Sequence, residues 1–138
     1  MNLGYACINT VLKENNIFTN RTMRRKTFDA KGLDYVSDLS LQNVKDLKTH
    51  ILWNDEHDIK LFRLSSQIFP WMEEYEFSDL KDFDEIKDLM VECGNIATKV
   101  GQRLTMHPGP YHCLASPTPK VVERTIIGLN KHAEQFDM

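Results

Sequence analysis

Three short apolar stretches alternate with three longer stretches of helical spacing, and this order limits the folds open to the chain. The apolar stretches are Leu3–Ile8, Ile59–Leu64 and Arg103–His107. Ser37 reads as an N-cap for a first helix carrying Leu41, Val44, Leu47 and Ile51 with Leu52, which ends near Trp53-Asn54. Phe83, Ile86, Leu89, Met90, Cys93, Ile96, Ala97 and Val100 mark a second helix, with Gly101 as its C′ residue. Ser116 and Pro117 read as cap and N1 of a third, with an apolar face of Val121, Val122, Thr125, Ile126, Leu129, Ala133 and Phe136. Strand, helix, strand, helix, strand, helix predicts an α/β fold with parallel strands. Three parallel strands make a poor sheet by themselves, because parallel sheets are covered on both faces.

Between the first strand and Ser37 lies a stretch with no clean period. Residues 10–37 read as a long β1–α1 loop, and it is basic, with Arg21, Arg24, Arg25 and Lys26 inside six residues. A connection of that length without regular structure is commonly functional. The net charge of −3 does not describe a wholly basic nucleic-acid binder but leaves room for a local basic patch. Cys7, Cys93 and Cys113 are odd in number and widely spaced, so neither a disulfide framework nor a zinc site is indicated. Reduced thiols, no apolar run long enough to span a bilayer and no signal-peptide pattern give an intracellular, cytoplasmic or nuclear expectation.

In a parallel α/β protein, sites collect where strands end and helices begin. Tyr5 and Asn9 follow the first strand, Glu73, Glu74 and Glu76 follow the second, and His107 and Tyr111 follow the third, so all would share one face. A histidine at a strand end serves as a metal ligand, a general base or a hydrogen-bonded structural group. Tyr111 on a proline-stiffened loop reads as a base-stacking ring or as a half-buried cover for the strand ends. RTMRRKT reads as a phosphate-contacting segment or as a solvated face. Any one of the glutamates serves equally as charge at a helix N-terminus. His50, His57 and His132 are expected at the surface.

LGYACIN, NRTMRRKTFDAKGLDYVSDLSLQNVKDL, FRLSSQIFPW and RLTMHPGPYHCLASPTPKVVE, in this order and spacing, resemble the N-terminal part of the UV-damage endonucleases. The resemblance implies a TIM-type (β/α)₈ barrel, of which this chain holds the first three or so βα units. It implies nicking of double-stranded DNA 5′ of ultraviolet photoproducts with a cluster of divalent metal ions, typically manganese. By motif, His107 matches a metal-ligand histidine, and Glu74 falls nearest the place of a second. Tyr111 matches an aromatic that probes the damaged dinucleotide with its preceding neighbour, and Tyr5 and Asn9 match residues near the active site and the DNA. Pro110 stands where the family usually has glutamine, and proline offers no side-chain hydrogen bond. Barrels of this kind need about 250 residues. The alternative expectation is therefore a catalytically inactive half-barrel or DNA-binding fragment, completed by self-association or by a missing C-terminal half.

Overall fold

A computed structural model describes residues 2–138. Its elements run β1 (Gly4–Ala6), α1 (Thr10–Glu14), α2 (Arg25–Glu56), β2 (Leu61–Arg63), α3 (Phe83–Lys99), β3 (Arg103–Thr105) and α4 (Pro119–Phe136). Two 3₁₀ turns, Met72–Glu74 and Phe77–Asp79, lie between β2 and α3. The strands form one parallel sheet in the order β1-β2-β3, with Tyr5 opposite Phe62 and Phe62 opposite Leu104. The alternation in the sequence is thus realised as parallel pairing.

α2 and α3 cover the sheet. Val36, Val44, Leu47 and Ile51 of α2 meet Phe62 of β2, Leu64 just after it, and Ile86, Cys93 and Ala97 of α3 in one core. Phe69 and Phe77, from the connection after β2, pack with tilted rings, centroids 4.7 Å apart, and extend that core. α3 ends as expected, with Gly101 in the left-handed region at φ 67°. Across α2 and α3, Lys48–Glu92 (2.6 Å) and Lys45–Glu85 (2.9 Å) are exposed pairs that add little stability.

Four expectations are corrected. The stretch 10–37 is not one loop, because Asn9 caps α1 with its side chain and α2 begins at Arg25. The helical pattern is hidden there because Gly32 (φ 64°, ψ −160°) kinks α2, and residues before the kink are mostly exposed. Ser37 is no cap. It lies buried inside α2, where its hydroxyl donates to Asp82 Oδ2 at 2.8 Å and accepts from the Asp82 N–H at 3.0 Å. α2 also continues past Trp53-Asn54 to Glu56, with Asn54 donating to Gln102 Oε1 at 2.9 Å. α4 starts two residues later than expected, with Thr118 as N-cap and Pro119 in the first turn.

A further correction concerns which residues are inside. His50 is fully buried, edge-on to Phe62 at 5.5 Å, and His132 is 3% exposed; only His57 is at the surface. On α4 the buried stripe is Thr125, Gly128, Lys131, His132 and Gln135, while Ile126, Ile127 and Phe136 face outward. Polar contacts turn the helix this way. Lys131 Nζ pairs with Glu76 Oε2 at 2.5 Å and lies over the Phe77 ring. Among the described residues no fourth strand follows to cover the apolar side.

Candidate nucleic-acid interface

A groove of about 650 Å³ opens where the segments after β2 and β3 meet the start of α2. Thr22 and Met23 form one wall, Pro70, Trp71, Glu73 and Glu74 another, and Gly109 to His112 with Arg124 the third. The segments after β2 and β3 thus share this groove, whereas Tyr5, Asn9 and His107 are not among the residues that line it.

The loop after β3 leaves Tyr111 91% exposed at the rim of this groove. That exposure removes the half-buried reading of the ring. Pro110 beside it is exposed as well. His107 lies two residues past β3, exposed, with Nδ1 2.5 Å from the Pro108 carbonyl oxygen.

Tyr5 is half-buried on β1, its ring 4.9 Å from Phe62 and its hydroxyl accepting from Asn9 Nδ2 at 3.1 Å. Burial raises the Tyr5 pKa against the opposing pull of Asn9 and Asn54, so the phenol stays protonated at neutral pH. Asn9 is buried and spends its Oδ1 on the Leu12 N–H at 3.0 Å. The position of both side chains is set by the fold rather than by solvent.

The three arginines divide. Arg21 is woven into the fold: Nη1 reaches Asp46 Oδ2 at 2.7 Å, Nη2 reaches the Asn16 carbonyl at 2.8 Å, and the guanidinium covers the Phe18 ring at 3.9 Å. Arg24 is exposed and makes no ion pair among the described residues. Arg25 is exposed at the groove edge, pairing with Asp29 at 2.9 Å and Glu74 at 3.0 Å. These acceptors, Asp29 first, raise the Arg25 pKa further.

Glu74 is thus held by Arg25, and among the described residues neither a hydrogen bond nor an ion pair joins it to His107. Among the described residues no group of three or more His, Cys, Asp or Glu side chains is placed to hold a metal ion. The donor set of this chain alone does not fit a complete divalent centre.

Sequence reasoning missed two groups that shape the groove. Trp71 occupies the left-handed region at φ 58°, a costly place for a bulky residue. It is fixed there by its indole N–H, which donates to the Met23 carbonyl at 3.1 Å, and by Phe28 at 5.8 Å. Arg25 lies over both rings at 5.4 Å. A tryptophan directly after a proline was the available signal. The second is the joining of His112 with Glu73, a candidate from its place after the second strand, and with Arg124, a long-range contact that the linear sequence does not show.

The family model for the UV-endonuclease UvdE matches residues 1–138. The chain belongs to the UvdE family. A protein of Acanthamoeba polyphaga mimivirus is 41% identical over 137 residues, covering 99% of this chain and 42% of that protein. The UV-damage endonuclease of Schizosaccharomyces pombe is 39% identical over 134 residues, covering 96% of this chain and 22% of that enzyme. The crystal structure of SacUVDE superposes with a TM-score of 0.86 at 27% identity, over 99% of this chain and 45% of the other. The chain therefore spans less than half the length of these UvdE-family relatives.

Proposed function

We propose that this chain forms the first three βα units of a (β/α)₈ UvdE barrel and supplies much of its damaged-DNA interface. The observation that carries this reading is Tyr111, 91% exposed on a Pro-Gly-Pro loop at the rim of the groove. An aromatic ring held out from the surface beside exposed arginines suits an unstacked base flanked by phosphates. Arg24 and Arg25 are the phosphate contacts of this reading, with Tyr5 and Asn9 as further DNA contacts at the end of β1. Arg21 serves them by holding the segment in place. Pro110 acts as a wedge.

The reaction is metal-dependent hydrolysis of a phosphodiester 5′ of an ultraviolet photoproduct, with manganese as the metal of choice for the family resemblance. When bound, such ions activate water and stabilise the departing oxygen. His107 supplies one ligand, and Glu74 becomes a second only if it leaves Arg25. No bond-breaking step is assigned to these residues alone. The test is binding and nicking of irradiated against unirradiated duplex, with manganese, by the wild type and Tyr111→Ala. A preference for irradiated duplex that Tyr111→Ala abolishes supports the reading; equal binding to both duplexes removes it.

A second reading is favoured by α4. Its exposed Ile126, Ile127 and Phe136 suit a unit that is complete only with more polypeptide against it, supplied by the same chain or by a second copy. On that reading the 138 residues bind DNA without cutting it.

A further inference from the structure

Tyr111 and His112 are neighbours with opposite fates. Tyr111 is 91% exposed, whereas the His112 side chain is 11% exposed. His112 Nε2 lies 2.5 Å from Glu73 Oε1, so a carboxylate faces that nitrogen and the ring donates there. The other oxygen of Glu73 lies 3.6 Å from Arg124 Nη2 on α4. The next residue is fastened too: the Cys113 N–H donates to Thr125 Oγ1 at 2.9 Å, and that hydroxyl donates to the Val121 carbonyl at 2.8 Å. The two residues after Tyr111 are therefore tied to two different elements, the 3₁₀ turn Met72–Glu74 and α4.

Gly128 makes the seat. A methyl group built on it would lie 2.7 Å from His112 Cε1 and 2.9 Å from Glu73 Oε1. At either distance the imidazole or the carboxylate must move. On its other side the ring meets His132 edge-on, with centroids 6.5 Å apart. Before Tyr111, Pro108 and Pro110 each fix a backbone φ. The chain is restrained on both sides of a side chain that itself touches almost nothing.

We propose that His112, seated by Glu73 and Gly128, is a positioning residue that fixes how Tyr111 is presented to a distorted duplex. The inference rests on the reading of Tyr111 as the base-contacting ring. A ring carried on an already restrained backbone loses less freedom on stacking, so the latch strengthens recognition of a displaced base.

The test uses the full chain carrying fluorotyrosine, with the Tyr111 resonance assigned through Tyr111→Phe. Wild type, His112→Gln, His112→Phe and Gly128→Ala are compared by fluorine NMR and by binding to irradiated and intact duplex. Gln keeps a donor near the Nε2 position, and Phe keeps the ring without it. The expected result is a broad, immobile Tyr111 line in wild type and His112→Gln, and a narrowed line in His112→Phe and Gly128→Ala. The latter two are expected to lose roughly tenfold in preference for irradiated over intact duplex. An identical Tyr111 line in all four proteins overturns the latch. The buried Tyr75 reports folding in the same spectrum, and His112→Phe carries the test alone should Gly128→Ala fail to fold. If the wild type shows no preference for irradiated duplex, the reading of Tyr111 fails, and the fluorine line still decides whether His112 restrains it.

Discussion

Asn43 and Arg21 are joined twice through the backbone of the arginine: the Arg21 N–H donates to Asn43 Oδ1 at 3.0 Å, and Asn43 Nδ2 donates to the Arg21 carbonyl at 3.0 Å. The same amide nitrogen reaches the Ile68 carbonyl at 3.0 Å. One fully buried side chain on α2 thus anchors both the basic segment and the connection after β2, two walls of the groove.

Asn43→Leu keeps the volume and strands three backbone groups. It is expected to destabilise the fold by about 2–4 kcal/mol, the cost of several buried groups left unpaired. Urea unfolding measures this, and a midpoint unchanged from wild type contradicts the anchor.

Arg24→Gln with Arg25→Gln is expected to weaken binding to every duplex and to reduce the slope of log affinity against log salt by about two. Titrations across a salt series check it. Arg21→Gln behaves differently, because that side chain is bound to Asp46 and the Asn16 carbonyl; its loss lowers stability more than it changes the slope.

His132 supplies a pH dependence. Burial first, then the positive potential of His112, lowers its pKa to about 4, with Glu73 opposing and His107 adding to the fall. The ordinary value is about 6.5. The unfolded chain therefore takes up the proton first, and stability is full above pH 6.5 and falls as pH drops toward 4. The loss approaches 3 kcal/mol as an order of magnitude. His50, also lowered by burial, acts in the same direction. Thermal melting of His132→Gln should show a shallower acid limb than wild type; parallel limbs would remove His132 from the account.

The outward side of α4 predicts association. Ile126→Lys with Ile127→Lys is expected to weaken self-association at least roughly tenfold, given the apolar area those side chains otherwise bury. Sedimentation velocity over a concentration series reads this directly. A wild type that stays monomeric at high concentration would show that the face needs no cover.

The architecture was legible because strand and helix periods survive in the sequence wherever one face is buried. Phe62 on β2 with Leu64 just after it, and Ile86, Cys93 and Ala97 on α3, carry that signal without interruption. It failed before Gly32, where α2 touches little and its period has no core to reflect. It failed again on α4, where the apolar residues were read as the inner face and the helix instead turns Lys131, His132 and Gln135 inward. That orientation is decided by Glu73 and Glu76, more than fifty residues from their partners on the helix. Tyr111 was legible as a candidate from its proline-flanked loop together with the family motif. His112 was not, because a seat formed by a carboxylate and a missing Cβ leaves no trace in local sequence.

The pairing of Tyr5 with Phe62, and of Phe62 with Leu104, joins positions 57 and 42 residues apart through strands of only three residues. Strands that short cannot hold together before the helices between them have docked, and closing such long loops slows the search for the native state. The groove takes its walls from segments that follow each pairing, so it is among the last features to assemble. A ligand captured there reads out completed folding of the whole unit, and a chain arrested short of its second crossover presents helices but no binding surface.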